Sequence, residues 1–442
     1  MEPEMAKIFN LTNLKKTYYY IKRNGVMQTI GAALERVQAP YFADYKYLMP
    51  DQQQLENQRK TTWENPCLIS VVVPAYETKE EFLKVLITSM QQQTYPYWEL
   101  VIADASSSKR VKEICEAYKE ERICYIALEK NAGISENTNQ GLRKATGDYV
   151  GLLDHDDYLT PDALYEMAKA IEVGRKQGKD YGFLYSDEDK CNENGTVFYD
   201  PHFKLDFNLD LFLTHNYICH FCVMKRQLIQ ELNFRKEFDG AQDYDLCLRA
   251  VGKLWNENPK VEECICHIPK VLYHWRCHND STAANPQSKR YAYEAGKRAL
   301  QDFAISRGWS VKVEEMPHVG FYKIVYEDGI FSQRDDVAIL GGKEIKFGKI
   351  VSGAFDKEGN MLYKGLPFCY SGYIHRGVLS QNVWQLNMDK WKINPTHIKL
   401  IETIEHEFSS NKYGTKTEKQ KAFCEYLIGQ GYRLYWDPTW IV

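Results

Sequence analysis

The chain has 442 residues with 60 acidic and 56 basic side chains, which gives a formal charge of -4. That balance argues against bulk nucleic-acid binding, which needs a basic surplus, and 44% hydrophobic residues exclude a disordered chain. The longest apolar stretch, 68–75, is too short to span a membrane, and the first residues lack the basic-then-apolar pattern of a secretion signal. We therefore expect a soluble, cytoplasmic protein of about two to four domains.

Residues 1–66 are predicted to form an N-terminal helical extension, because the stretch from Lys7 to Arg36 alternates apolar and polar positions with a helical period. That stretch contains six basic side chains and one acidic residue, Glu35, which gives a local charge of +5. Two interpretations stay open: peripheral contact with an anionic membrane surface, or a helix packed on the next domain with a solvated basic face. Gly25 and Gly31 weaken a long amphipathic helix and favour the second interpretation.

Strands and helices then alternate, with short apolar strands predicted at 68–75, 98–104, 123–128 and 148–154. This alternation indicates right-handed βαβ units and an α/β fold with a Rossmann-like, mostly parallel sheet covered by helices on both faces. Ligands of such sheets bind at the carboxyl ends of the strands. Pro74, Asp104 and Asp154 fall at those ends, so we expect a site there.

Three aspartates, Asp154, Asp156 and Asp157, follow the fourth strand within four residues and would repel one another if left unneutralised. A divalent cation held by one or two carboxylates and phosphate oxygens would remove that repulsion. The alternative is a solvated turn or helix N-cap at Asp157 and Thr160, which explains Asp154 poorly because it ends a buried strand. No GxxxxGK[ST] or GxGxxG motif accompanies the acids, which argues against a P-loop NTPase and a dinucleotide enzyme.

A set of motifs in a fixed order carries the strongest functional signal. The motifs are Ser70-Val-Val-Val-Pro74-Ala75-Tyr76, the strand ending in Asp104, Asn131-Ala-Gly133 with Asn139 and Gly141, Ala145-Thr-Gly147-Asp148 leading to Asp154-His-Asp156-Asp157, and residues 239–249 beginning Asp-Gly-Ala-Gln-Asp. In order and spacing they resemble the GT-A-type, family-2 inverting glycosyltransferases over about residues 68–310.

The resemblance implies a role for each matched residue. The donor, a nucleotide-diphosphate sugar, would contact Pro74, Ala75, Tyr76, Glu77, Asp104, Gly133, Asn139, Asp154 and Asp156. Asp154 and Asp156 would form the DxD pair that holds Mn²⁺ or Mg²⁺, with His274 as a third metal ligand or a core residue. Asp243 would be the catalytic base, with a helix N-cap as the alternative, and Gln242 stands where the family often has Glu.

Two further stretches are similar to a subgroup that builds bacterial O-antigen and rhamnan-type cell-surface polysaccharides. They are residues 185–190 with 201–204, and residues 271–278 with Ser281 and Thr282. The similarity implies acceptor contacts by Asp187, Asp189, Trp275 and Arg276, with solvation or core packing as the alternatives. It also suggests a dTDP-rhamnose donor, with UDP-linked sugars as the alternative, and a glycan or lipid-linked acceptor.

The chain has 12 cysteines, and one cluster of them raises the hypothesis of a zinc site. Cys219 and Cys222 form a CxxC pair, and Cys264, Cys266 and His267 lie downstream. The stretch 216–224 is predicted as a β-strand, in which positions three apart point to opposite faces. That geometry favours core packing over structural zinc.

Residues 311–442 resemble an incomplete second module of tandem family members. Segments in 337–376 and 424–438 are similar to the part of such a module that comes after its DxD strand, but a second nucleotide-binding half is missing from the sequence. Aligning Cys424 with Cys247 sets Gln420 opposite Asp243, so the second base is absent as well. We expect this remnant to scaffold the active module, shape the acceptor groove or mediate association, its aromatic residues either packing or stacking on sugars.

The predicted organisation is a helical extension over 1–66, a catalytic GT-A domain over 67–310 and a remnant GT-A-like module over 311–442. The predicted function is metal-dependent inverting glycosyl transfer in bacterial cell-surface polysaccharide synthesis at the inner face of the membrane. Two rivals remain. One is a non-catalytic polysaccharide assembly or binding subunit, and the other is a sugar nucleotidyltransferase, which would want a glycine-rich basic loop where residues 74–77 stand.

Overall fold

The computed structural model describes residues 11–38, 41–278, 290–409 and 415–442. The helices are α1 Leu11–Gln38, α2 Gln52–Arg59, α3 Glu80–Gln91, α4 Arg110–Ala117, α5 Ile134–Leu142, α6 Ala163–Lys176, α7 Leu209–Phe212, α8 Arg226–Leu232, α9 Gln242–Glu257, α10 Arg290–Ser306, α11 Ile398–Ser409 and α12 Lys416–Gly429. The strands are β1 Ile69–Ala75, β2 Trp98–Asp104, β3 Ile123–Ala127, β4 Tyr149–Leu152, β5 Tyr158–Leu159, β6 Phe183–Asn192, β7 Phe198–His202, β8 Cys222–Lys225, β9 Ile265–Cys277, β10 Val311–Glu315, β11 Tyr322–Tyr326, β12 Val337–Lys346, β13 Lys349–Ser352, β14 Ala354–Phe355, β15 Gln381–Asn382, β16 Gln385–Leu386, β17 Trp391–Ile393 and β18 Arg433–Ile441. The predicted α/β class is confirmed.

The chain divides into two compact units. The central unit is Asp44–Val313, and the terminal unit combines Met1–Ala43 with Glu314–Val442. This division differs from the predicted domains, because the segment 1–66 is shared between the two units. Its first part belongs with the C-terminal residues, and its second part belongs with the central sheet.

The central unit is built on a sheet with the strand order β3-β2-β1-β4-β8-β6-β9-β5, to which β7 adds by pairing with β6. Strands β3, β2, β1 and β4 are parallel, β8 runs antiparallel to both of its neighbours, and β6 and β9 are parallel. The register of β1 and β2 sets Ala75 opposite Asp104. The carboxyl ends of these strands therefore lie side by side, as the sequence predicts.

Helices cover both faces of this sheet, as expected from the alternation of strands and helices. On one face, Val71 and Val73 of β1 join a buried cluster with Leu83 and Leu86 of α3. On the other face, Val72 lies against α5, where a Cβ on Gly141 would sit 2.7 Å from the Val72 side chain. Glycine at position 141 therefore lets α5 approach the sheet closely.

The predicted strand over 216–224 is wrong in its first part. Strand β8 begins only at Cys222, and residues 216–221 form turns. The side chains of Asn216 and Cys219 bond to one and the same carboxylate. A regular strand would point these two positions, which are three apart, to opposite faces.

The terminal unit has its own sheet, with the order β13-β12-β18-β15 and β17 paired to β12. Strands β12 and β18 are parallel, and their apolar residues pack against α12 around Phe423 and Trp436. Tyr370, Tyr435 and Trp436 are buried, whereas Trp384 is 41% exposed. The three buried rings therefore pack internally, and Trp384 is open to solvent.

Helix α1 packs on the terminal unit through one face. Gly25, with a φ of +80°, kinks the helix. Beyond the kink the carboxylate of Glu35 is buried and accepts hydrogen bonds from the backbone N–H groups of Ser371 (2.8 Å) and Gly372 (2.7 Å). The predicted start of the helix at Lys7 lies outside the described residues. Across the described ranges, no helix has the length and apolar character required to cross a bilayer.

An ion-pair cluster at the start of β12 allows a test of stability against pH. Both oxygens of Asp336 bond to Arg334 at 2.7 Å, and Arg433 bonds to one of them at 2.9 Å. Burial alone raises the pKa of Asp336, but the two guanidinium groups outweigh it and hold the pKa below its usual value. A carboxylate with a lowered pKa adds stability above its unfolded pKa of about 4 and loses it as the pH falls further.

We therefore expect Asp336→Asn to lower the free energy of unfolding by about 3 kcal/mol at pH 7, because it leaves two buried guanidinium groups without their counter-charge. The difference from the unsubstituted protein should shrink as the pH falls below about 4. Urea unfolding at pH 7 and at pH 3.5 measures both effects, with Asp335→Asn, an exposed neighbour, as the control. Equal unfolding of the two variants at pH 7 would contradict the prediction.

Candidate active site

The loop after β1 is tied to the loop after β2. Glu77 has a left-handed backbone, with a φ of +48°. Its carboxylate accepts hydrogen bonds from the N–H and the hydroxyl of Ser107, both at 2.9 Å, and these bonds lower the pKa of Glu77. Pro74 is half-buried, Ala75 is buried, and the Tyr76 ring is 49% exposed at the tip of the loop. An exposed ring above strand ends can stack on a planar ligand.

Asp104 ends β2 and is buried, with both of its oxygens bonded within the protein. The hydroxyl of Tyr125 donates to one oxygen at 2.9 Å, and the N–H of Ser106 donates to the other at 3.0 Å. These bonds fix the carboxylate beside Ala75 at the floor of the loops. In this conformation Asp104 orders the loop after β2. Each of its oxygens already accepts one hydrogen bond, and each has a second lone pair with which it could bind a ligand.

Gly133 and Asn139 frame helix α5. Gly133 has a φ of +99°, and a Cβ there would lie 2.7 Å from a carboxylate oxygen of Asp239, so this position requires glycine. Asp239 accepts a hydrogen bond from the hydroxyl of Ser135 in the first turn of α5. Asn139 is buried, and its amide bonds to the backbone O and N–H of Phe234 at 2.9 and 2.8 Å. Asn139 thus links α5 to the segment before Asp239 from beneath the loops.

The three aspartates after β4 have different surroundings. Asp157 is fully buried, and it accepts hydrogen bonds from the Tyr273 hydroxyl at 2.5 Å and from the Arg276 N–H at 2.7 Å. Asp156 is partly exposed, and one of its oxygens lies 2.8 Å from Nε2 of His278. Asp154 is partly exposed as well. Asp157 therefore anchors the turn to β9, and Asp154 and Asp156 remain for a ligand.

Asp243 lies in the first turn of α9, one residue after the helix begins at Gln242. It is not the N-cap residue of this helix, a position held by Ala241. One of its oxygens accepts hydrogen bonds from the Asn216 amide at 3.1 Å and from the Cys219 thiol at 2.7 Å. The N-cap alternative therefore does not explain this carboxylate.

The structure brings Asp154, Asp156 and Asp243 into one electrostatic neighbourhood. Burial raises the pKa of Asp154, and the negative charges of Asp156 and Asp243 raise it further, while His220 opposes them. Burial is the main cause of this shift, and the two carboxylates near Asp154 add to it. The arrangement suits a ligand that brings positive charge.

A divalent cation fits this donor set. Asp154 and Asp156 offer the carboxylate oxygens that Mg²⁺ and Mn²⁺ prefer, and His278 beside Asp156 adds an imidazole. Diphosphate oxygens would have to complete the coordination, because among the described residues no group of three or more His, Cys, Asp or Glu side chains is arranged to hold a metal by itself.

His274 has a different partner from the one expected of a metal ligand. It is buried, and its Nδ1 lies 2.6 Å from an oxygen of Asp189, which is opposite it in the pairing of β6 and β9. The rings of Tyr47, Tyr158 and Phe198 surround His274 at 4.5 to 4.9 Å between centroids. In this conformation His274 therefore belongs to an aromatic core, and His278 is the histidine that contacts the DxD pair.

Asp187 and Asp189, predicted as acceptor contacts, are buried and bonded within the protein. Asp187 lies 2.9 Å from Nε2 of His267 and accepts the Lys204 N–H at 2.8 Å. Asp189 accepts the hydroxyl of Tyr45 at 2.7 Å in addition to its contact with His274. Both carboxylates are buried in this conformation, and their contacts connect β6 to His267 and His274 of β9.

Trp275 and Arg276 lie on the same strand, β9, and face different surroundings. The half-buried Trp275 ring meets the ring of His220 edge-on, at 5.9 Å between centroids. Arg276 is buried and donates from Nε to the Asp156 carbonyl and from Nη1 to the Glu193 carbonyl, both at 2.6 Å. The other predicted members of this stretch, Ser281 and Thr282, lie outside the described residues.

Among the described residues, the cysteines and histidines of the zinc-site hypothesis do not form a group of three or more that could hold a metal, although Cys219 and His220 contact each other at 3.3 Å. Cys219 contacts Asp243, His267 contacts Asp187, and Cys222 is buried in β8.

The sequence reasoning also missed residues that build the site. They are Asn216, Cys219, His220, Tyr273 and His278.

The sheet order and the acids at the strand ends define an α/β protein with a candidate ligand site at the carboxyl ends of its strands. Comparison with known proteins makes the class specific. Residues 70–232 match the family described as Glycosyl transferase family 2. Over 213 residues the chain is 30% identical to the putative colanic acid biosynthesis glycosyl transferase WcaA of Escherichia coli K12, covering 46% of this chain and 73% of WcaA. The chain belongs to glycosyl transferase family 2, and the family predicted from the motifs is confirmed.

Two other relatives are longer proteins. The chain is 40% identical over 255 residues to the uncharacterized protein y4gI of Sinorhizobium fredii, covering 57% of this chain and 27% of that protein. It is 33% identical over 250 residues to the O-antigen biosynthesis protein RfbC of Myxococcus xanthus, covering 56% of this chain and 19% of RfbC. The chain therefore spans well under two thirds of the length of either relative.

Proposed function

We propose that the chain is a metal-dependent inverting glycosyltransferase that moves a sugar from a nucleotide-diphosphate donor to a glycan or lipid-linked acceptor in bacterial cell-surface polysaccharide synthesis. The observation that carries the proposal is the position of Asp154 and Asp156 directly after β4, at the carboxyl ends of the parallel strands, with Asp243 close enough for its charge to raise the pKa of Asp154. The names of the relatives RfbC and WcaA, which refer to O-antigen and colanic acid biosynthesis, support the polysaccharide context.

The donor is proposed to bind across the loops after β1, β2 and β4. The Tyr76 ring is exposed and can stack on the base, and Pro74, Ala75 and Glu77 shape the loop beneath it. Asp104 and Asn139 hold the pocket from inside, and Gly133 lets the chain pass close to Asp239. Asp154 and Asp156 face the diphosphate.

Inversion in a single step requires one base and charge stabilisation on the leaving diphosphate. The acceptor hydroxyl attacks the anomeric carbon from the face opposite the diphosphate, and the Asp243 carboxylate takes the hydroxyl proton. Asp154 and Asp156 would hold Mn²⁺ or Mg²⁺, which would supply positive charge for the leaving diphosphate. His278, which contacts Asp156, is a better candidate for the third ligand than the predicted His274.

On the acceptor side we propose a direct role for Trp275 and a supporting role for its neighbours. Trp275 is half-buried and lies next to His220, close to the site. Arg276 fixes the turn that carries Asp156, and Asp187 and Asp189 order strand β6. The terminal unit is proposed to act as a scaffold for the transferase.

A panel of nucleotide sugars tests the function. dTDP-rhamnose is the first candidate, and UDP-glucose, UDP-galactose and UDP-N-acetylhexosamines are the alternatives. Each donor is incubated with Mn²⁺ or Mg²⁺ and scored by thermal shift and by release of the nucleoside diphosphate. Stabilisation and turnover with at least one donor are expected. No response to any donor with either metal would overturn the proposal.

We also propose that α1 brings the protein to the inner face of an anionic membrane. Beyond the kink, Val26, Ile30, Leu34 and Val37 repeat with helical spacing and are between 46 and 68% exposed. They lie away from the face that buries Glu35 in the terminal unit. Basic residues along the helix add attraction to anionic lipids.

The double variant Leu34→Asp/Val37→Asp is expected to lower binding to phosphatidylglycerol vesicles about tenfold or more, since it removes two apolar side chains from the exposed face. Co-sedimentation measures the loss. Phe347→Asp, a fully exposed apolar residue elsewhere in the terminal unit, is the control and should bind like the unsubstituted protein. Equal vesicle binding by the helix variant would argue against membrane contact through this face.

A further inference from the structure

The carboxylate of Asp243 is held on one side only. The Asn216 amide and the Cys219 thiol both donate to the same oxygen, Oδ2, at 3.1 and 2.7 Å. A carboxylate only accepts hydrogen bonds, so the amide nitrogen of Asn216 must face it. Burial raises the pKa of Cys219 well above its usual value, so the thiol stays protonated and can donate.

The other oxygen of Asp243, Oδ1, receives no hydrogen bond from any residue in the described part of the chain. A base needs an oxygen that is open to the incoming proton and a fixed orientation. Two donors on Oδ2 fix the rotation of the carboxyl group. They leave Oδ1 as the atom that can accept a hydroxyl proton.

A second atom beside the base is also unused. Because the nitrogen of Asn216 faces Asp243, its carbonyl oxygen points elsewhere. That oxygen is buried and has no hydrogen-bond partner within the described ranges. A buried amide oxygen without a partner destabilises the protein, so a ligand hydroxyl that donates to it would be bound favourably.

We propose that Asn216 and Cys219 are positioning residues for the base: together they hold Oδ2 of Asp243 so that Oδ1 faces the acceptor hydroxyl, and the Asn216 carbonyl binds a second hydroxyl of the acceptor. The inference rests on the proposed transferase function. It predicts that the acceptor is a sugar with two hydroxyl groups, one that reaches Oδ1 of Asp243 and one that reaches the side-chain carbonyl oxygen of Asn216. Cys219 acts as a hydrogen-bond donor here and forms no bond to the sugar.

Substitutions at the two residues should have different effects on kcat and on KM for the acceptor. Cys219→Ala removes one charge-assisted hydrogen bond from the base, so we expect kcat to fall about tenfold to a hundredfold with little change in KM for the acceptor. Cys219→Ser keeps a donor and should recover most of the lost kcat. Asn216→Ala removes a donor and an acceptor, so it should lower kcat and also raise KM for the acceptor about tenfold.

The measurement uses the full chain with the donor and acceptor found in the panel, and isothermal titration with UDP or dTDP and Mn²⁺ monitors the donor site. Cys124→Ala, on the exposed edge strand β3, is the matched control and should behave like the unsubstituted protein. Full kcat in Cys219→Ala would overturn the inference while the transferase function stands. A Cys219→Ser variant as impaired as Cys219→Ala would also overturn the inference. The same holds if Cys219→Ala loses nucleotide binding in parallel with its kcat. An unsubstituted chain that transfers no sugar would overturn both proposals.

Discussion

Replacing Asp243 with asparagine is expected to lower kcat by about two to four orders of magnitude while nucleotide binding stays intact. The carboxylate is the only group in the proposed mechanism that takes the proton from the acceptor hydroxyl, and general-base catalysis is worth about that much. Asparagine has nearly the same shape, so it keeps α9 and its contacts in place. Product formation over several hours and titration with UDP or dTDP measure the two parts of this prediction.

The control for this variant is Glu237→Gln, the same change of acid to amide at an exposed position before α9. It should retain full turnover. An Asp243→Asn protein with normal kcat would remove the proposed base. A variant that also loses nucleotide binding would instead identify Asp243 as part of the donor site.

The second large effect is expected from Asp156→Asn. This carboxylate is proposed to hold the cation on the donor diphosphate, and a bound cation contributes several kcal/mol to the stabilisation of developing charge. We expect kcat/KM for the donor to fall by about two to three orders of magnitude. The thermal stabilisation that nucleotide and Mn²⁺ produce together should largely disappear.

Thermal shifts with nucleotide alone, Mn²⁺ alone and both together separate the contributions. In the unsubstituted protein we expect nucleotide and Mn²⁺ together to stabilise more than the sum of their separate effects, because Asp154 and Asp156 would hold the cation where it attracts the diphosphate. Asp180→Asn, an exposed carboxylate that pairs with Lys225, serves as the control. If Asp156→Asn keeps the joint stabilisation, the cation is held by other groups.

The parallel part of the sheet and the acids at its edge could be predicted because they depend on local signals. Short β-branched runs predict buried parallel strands, and the carboxyl ends of such strands meet at one edge. Asp104, Asp154 and Asp156 are placed directly by that rule. The relation of Asp243 to them came from the family resemblance, since helix α9 is far away in the sequence.

The two alternatives for His274, a metal ligand or a core residue, could not be separated from the sequence because they depend on strand pairing. The stretch 271–278 contains His274 and His278, and nothing in the local sequence indicates which residue each of them contacts. The parallel pairing of β6 with β9 sets His274 opposite Asp189 in the core, and the end of β9 carries His278 to Asp156. Cys219 was missed for a related reason, because its role depends on turns at 216–221 where a regular strand was predicted.

Helix α1 shows another limit of periodicity. An amphipathic pattern tells that a helix has an apolar face but not what covers it. The structure buries Glu35 in contact with Ser371 and leaves the Val26–Val37 face open. Packing therefore describes the face of α1 that carries Glu35. Membrane contact stays a prediction for the exposed face that carries Val26 and Val37.

The two tyrosines that close the pocket around His274 have a practical consequence for anyone shortening the chain. Tyr45 bonds to Asp189 and Tyr47 packs on His274, yet both precede the first strand of the sheet by more than twenty residues. A fragment that begins at residue 67 would lack both tyrosine rings and would expose the buried contact between Asp189 and His274 to water. Truncation for expression or crystallisation should therefore start no later than Asp44.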